Sequence, residues 1–117
     1  MIVIRRAQMQ ALNAPLEARL VERLLQMVGL AFADSCARLG EAGTRRQVEQ
    51  AIARADAWGM VTEQQTAFVV WLLFRWGAAF DTEPRLAALR ELLQVAGVSG
   101  DEKLALATRR LAADGLA

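Results

Sequence analysis

A chain of 117 residues that is 55% hydrophobic and 23% charged holds enough apolar material to close one core, which excludes intrinsic disorder and predicts a single domain over residues 1–117. Its formal net charge is +1, divided as +2 up to Gly59 and −1 beyond it, so the strongly basic field of a nucleic-acid binder is missing. With no His, no Tyr and a single cysteine, Cys36, the chain has no internal disulfide and no imidazole to activate the thiol, which therefore reads as a small apolar residue.

The opening, Met1–Gln10, lacks a basic region ahead of a long apolar stretch and a small-residue cleavage site after one, so cytoplasmic residence is the expectation. Ile2–Ile4 is the only stretch read as an extended arm. A short turn or helix over Arg5–Leu12 is expected next. Asn13 and Pro15 then signal the start of a long helix in which Leu16, Leu20, Leu24, Met27, Ala31 and Phe32 or Cys36 keep helical spacing towards Leu39 and Gly40. Thr44 and Gln47 have the spacing of a capping box and predict the next helix, with Val48, Ala51, Ile52, Ala55 and Trp58 on one face and Gly59 at its end. Its alanines leave it thin enough for a neighbouring helix to approach closely.

Thr62 and Gln65 repeat the box ahead of a run from Ala67 to Phe74 without a polar side chain, and Gly77 is placed to terminate that helix. Pro84 predicts the first turn of a helix lined by Leu86, Leu89 and Leu93 and closed by Gly97. Ser99 and Glu102 open a last helix through Leu104, Ala107 and Leu111. The fold class predicted is all-α, a bundle of five or six helices around the central apolar one.

At 100° per residue from Ala67, the residues Leu72, Trp76, Val69, Leu73, Val70 and Phe74 fill an arc of about 140° to 340°, while Gln64 and Arg75 fall near 60° and 80°. A helix apolar nearly all round is the centre of a bundle. The run is too short to span a bilayer, so no membrane insertion is expected. Phe68 and Trp71 flank the narrow polar arc and stand at the edge of the core. Together with Arg75 and Phe80 they form the candidate partner-binding patch, because aromatic and Arg residues dominate interface hot spots. Arg75 is expected to lie over Trp71 one turn earlier, or to meet the last carbonyls and pair with Asp81.

The acidic pairs Asp81/Glu83 and Asp101/Glu102 sit at expected helix starts, where they complement the dipole, and neither has the look of a catalytic dyad. No enzyme, catalytic residue, cofactor or metal site is expected. Thr44–Trp76 has a helix-turn-helix outline, but its second helix offers Phe, Val, Trp and Leu where a recognition helix needs polar groups, so nucleic acid is not the expected partner.

The stretch RADAWGMVTEQQTAFVVWLLFRWGAAFDTEPRLAALRELL, with Trp58-Gly59, Thr62-Glu63, Phe74, Gly77, Phe80-Asp81, Pro84 and Leu93, resembles a small bacterial family of helical proteins encoded among type VI secretion genes beside effectors and their chaperones. The opening MIVIRRAQMQAL is similar to that family's start. The chain departs from the pattern in its more apolar central helix and in Trp58, where Tyr is usual. The resemblance implies a non-enzymatic adaptor or co-chaperone that binds a type VI effector or its loading chaperone in the cytoplasm. An immunity protein that neutralises a cognate toxin, or a homodimeric helical scaffold, is the alternative.

Overall fold

The computed structural model describes residues 6–77 and 80–116, with side chains described from residue 18 onward except at residue 81. The extended arm expected at Ile2–Ile4 lies outside them. The described residues form five α-helices and no strand: α1 Arg6–Ala31, α2 Ala33–Ala57, α3 Glu63–Trp76, α4 Ala87–Gln94 and α5 Gly100–Ala113, with 3₁₀ turns at Phe80–Thr82 and Pro84–Leu86 between α3 and α4. The molecule is a slab of 37 × 37 × 20 Å, the depth of two packed helices. α3 lies at its centre, against α1, α2 and α5.

Two boundaries differ from the sequence expectation. The chain does not restart at Asn13: α1 runs through Pro15, which lacks a backbone N–H, within a stretch otherwise rich in helix formers. It breaks instead at Phe32, which leaves helical geometry (φ −134°, ψ 49°) and packs its ring 5.8 Å from that of Phe74 on α3. A helical Phe32 would have continued the α1 stripe, so the aromatic contact and the chain reversal go together.

The second difference is at Thr44. Gly40 takes φ 72° and ψ 173°, and this is the real interruption of α2. Thr44 is therefore already inside the helix, and its hydroxyl donates back to the Gly40 carbonyl at 2.7 Å. Gln47, expected to close a box with it, instead sends its side-chain amide across to the Leu73 carbonyl at 3.2 Å, at the C-terminal end of α3. Cys36 is half-buried, with its thiol 3.5 Å from the Val28 carbonyl.

The remaining signals are realised in whole or in part. Pro84 opens a 3₁₀ turn, Pro84–Leu86, and α4 itself starts at Ala87. Ser99 accepts from the Glu102 amide at 3.2 Å and so caps α5 with one half of the expected box. Thr62 accepts from the Gln65 amide at 3.2 Å, and Gln65 returns its side-chain oxygen to the Thr62 amide at 3.3 Å. Gly59 closes α2 in a Schellman motif: its own amide reaches Asp56 O at 3.0 Å and the Met60 amide reaches Ala55 O at 2.8 Å. The left-handed φ of 73° makes glycine the fitting residue there. Val69, Val70, Leu72 and Leu73 are completely buried, and Ala51 and Ala55 on α2 let the two helices lie close.

One element of the core was not read from the sequence. Lys103, the chain's single lysine, is only 4% exposed. Its ammonium donates to the carbonyl of Trp58 and to that of Leu93, both at 2.8 Å. These are the carbonyl ends of α2 and α4, where unpaired oxygens and the negative end of each helix dipole meet a cation.

Lys103→Met is expected to lose about 1–3 kcal/mol, because it strips two buried carbonyls of their donor. Burial holds the Lys103 ammonium below the ordinary lysine value of 10.5. Between the two values the unfolded chain binds more protons, so the lysine's contribution to stability rises with pH and is complete above 10.5. Urea unfolding of both proteins through the alkaline range checks this: the gap should widen in favour of the wild type, and a gap that narrows counts against it.

Candidate protein-binding surface

The capping box at Thr62 and Gln65 sets the phase of α3 and so decides which of its aromatics reach the surface. Gln65 is itself 3% exposed. Besides the box, its side-chain oxygen accepts from the Val61 amide at 3.0 Å and its nitrogen donates to Asp101 on α5 at 2.7 Å. Gly100 is pressed against this amide, and a Cβ there would collide with it. The start of α5 is thereby tied to the start of α3.

Along that seam Phe68 and Trp71, three residues apart on one side of α3, are half-buried and stacked, with ring centroids 6.3 Å apart and planes 19° apart. With Thr108 and Leu111 of α5 they line a shallow cleft of about 200 Å³. Thr108 spends its hydroxyl on the Leu104 carbonyl at 2.8 Å, so what it offers the cleft is apolar. Nothing in this lining can carry a proton at ordinary pH, and its chemistry is that of apolar contact.

Arg75 is exposed one turn further along α3. Its guanidinium does not lie over Trp71 as expected but 4.6 Å from the ring centroid of Trp76, where Arg85, from the second 3₁₀ turn, also lies at 5.0 Å. Arg85 in turn donates to Glu83 at 2.9 Å and holds that carboxyl below its usual range. The side chain of Asp81, the other expected partner of Arg75, lies outside those described.

Phe80 does not join the surface group. It is 1% exposed, edge-on to Trp58 at 5.9 Å and 85°, with the Arg54 guanidinium 5.5 Å from its ring. The reason is local: the Phe80 amide donates to the Gly77 carbonyl at 3.1 Å, and the first 3₁₀ turn packs against α3 and α4, which carries Phe80 against Trp58 at the end of α2. Its place in the sequence, beside Arg75 but across a glycine, could not distinguish the two outcomes.

A second cavity, about 290 Å³, opens between α1 and α2 beside Cys36, Gly29, Gly40 and Thr44, with the exposed Glu22–Arg45 ion pair at 2.8 Å on its rim. The Glu22 contact raises the Arg45 value. Exposed pairs of this kind contribute little to stability. Among the described residues no group of three or more His, Cys, Asp or Glu could hold a metal ion, and no helix is long and apolar enough to cross a membrane. No family model matches the chain, and no curated protein or solved structure does.

Truncations along α3 should divide by depth. Leu73→Ala, from a completely buried position, should cost roughly 2–5 kcal/mol because it leaves a cavity. Trp71→Ala and Arg75→Ala, at the edge and outside, should each cost less than half as much in denaturant melts. Equal losses at Trp71 and Leu73 would make Trp71 a core residue.

Proposed function

We propose that this chain is a non-enzymatic helical adaptor of a type VI secretion system, which binds an effector or its loading chaperone in the cytoplasm through the Phe68–Trp71 face. The observation that carries the binding role is the stacked, half-buried aromatic pair over an apolar cleft on the seam of α3 and α5. Such a pair presents a large contact area that loses little conformational freedom on association, and aromatic residues of this kind dominate binding energy at interfaces.

The partner class rests on the resemblance of residues 54–93. Its motif positions fall on the frame: Trp58-Gly59 close α2, Thr62 caps α3, Gly77 ends it, Phe80 is buried and Leu93 supplies a carbonyl to Lys103. Phe68 and Trp71 lie between these positions, free to suit a particular partner.

The test is capture from the native host with the tagged chain, followed by mass spectrometry, using wild type, Phe68→Ala and Trp71→Ala. An effector or its loading chaperone should be enriched by wild type, and the variants should bind it about thirtyfold more weakly, corresponding to a hot-spot loss of about 2 kcal/mol. A toxin in place of an effector would make the chain an immunity protein. Recovery of further copies of itself alone would make it a homodimeric scaffold.

A further inference from the structure

The outer side of α5 carries two charges that its own fold does not pair. Glu102 and Arg109 are both exposed, and among the described residues neither side chain has an ion pair or a hydrogen bond. Neither has an opposite charge three or four positions away along α5, where the residues are Val98, Ser99, Ala105, Leu106, Ala112 and Ala113. Their neighbours differ in this: Asp101 is bonded to Gln65, and Arg110 pairs with Asp114 at 3.0 Å. At 100° per residue Arg109 falls within about 20° of Glu102, two turns or roughly 10 Å along the helix. Ala105 and Ala112 come about 60–80° further round, and Thr108 at about 120°, where it meets the cleft with Leu111. Ala105, Thr108 and Ala112 are all exposed, and their short side chains let another helix approach this face closely.

The charges specify the occupant. The acid stands towards the start of α5 and the base towards its end, at equal distances from the midpoint between Ala105 and Leu106. An antiparallel copy of the same face sets its Arg109 against Glu102 and its Glu102 against Arg109, so one two-fold axis satisfies both charges of both chains. A parallel copy would oppose like to like, whereas the antiparallel one also opposes the two helix dipoles. We infer that this face of α5 is the interface of a homodimer, in which two copies pair antiparallel about an axis near Ala105. Any other partner must supply the reversed charge pair at the same spacing, which this chain already holds. α5 has 14 residues and is about 21 Å long, which by itself is too short to bury the roughly 1,200 Å² of a tight interface. The dimer is therefore weak, forming at roughly 10–100 μM. The inference goes beyond the adaptor reading and does not depend on it.

The experiment is sedimentation equilibrium of the full chain from roughly 5 to 500 μM, a range that brackets the expected dissociation constant. Wild type should pass from monomer to dimer. Glu102→Arg and Arg109→Glu each put two like-charge contacts into the dimer and should weaken it about tenfold, and high salt should narrow that difference. An equimolar mixture of these two variants makes every facing pair opposite in sign again, so it should associate within about threefold of wild type. Circular dichroism and thermal melts confirm that both variants, altered at exposed positions, are folded. A wild type that stays monomeric throughout would leave the face to a different protein and overturn the inference. A dimer that neither substitution weakens would lie on another surface, with the same consequence. Weakening by each variant without recovery in the mixture would rule out the antiparallel two-fold pairing. None of these outcomes bears on the Phe68–Trp71 cleft, which the capture experiment tests through residues of α3.

Discussion

The ammonium of Lys103 is the point on which the arrangement of the second half of the molecule depends. Two helices, α2 and α4, end against α5, and a buried helix end is costly because its last carbonyls have lost water and have no partner within the helix. One donor group reaches both, at Trp58 and Leu93. Each helix end supplies partial negative charge that offsets part of the cost of burying the cation, and the remainder of that cost holds the ammonium below its ordinary value. A lysine suits the task better than an arginine: its compact head on a slender stem can meet two carbonyls from different directions, where a planar guanidinium would bring further donors to be satisfied. The chain's other basic side chains are all arginines.

Fixing α5 at Lys103 has consequences along its length. Gln65 ties the first turn of α5 to the first turn of α3 through Asp101, and Gly100 is the residue that permits this close approach. Two turns beyond Lys103, Leu111 then faces the Phe68–Trp71 pair. The cleft walls are thus set by polar contacts made elsewhere, at positions where α5 cannot shift without exposing a carbonyl or breaking the capping box. A surface held in this way presents its aromatics with little reorganisation, which favours association.

How much of this the sequence disclosed follows from the range of each interaction. Local signals worked: the Thr62–Gln65 box, the glycines that end helices and the buried arc of α3 depend on residues within one or two turns. The same Thr-x-x-Gln spacing misled at Thr44, because Gly40 had already set the interruption and Gln47 found a carbonyl 26 residues away. Phe32 kept helical spacing in the sequence yet left the helix to meet Phe74. Phe80 and Arg75 are five residues apart and looked like members of one patch, but the turn after Gly77 sends one inward and leaves the other outside. Lys103 sat among ordinary helical charges, and nothing near it announced the two distant helix ends that it joins.

The apolar run from Ala67 to Phe74 is thus two things at once, divided by angle around a single helix. Its inner arc is closed by α1, α2 and the turn that carries Phe80, and there the residues are packed without space for change. On the outer edge, among the described residues, α5 flanks it. A helix 14 residues long beside another of 14 covers one side of Phe68 and Trp71 and leaves the remainder to solvent. Lengthening the covering layer would bury the pair and raise stability, but would remove the cleft. The frame satisfies its buried helix ends with Lys103, Gln47 and Gln65, none of which lines the cleft, so the residues at the outer edge can change without disturbing the bonds that hold the helices in place.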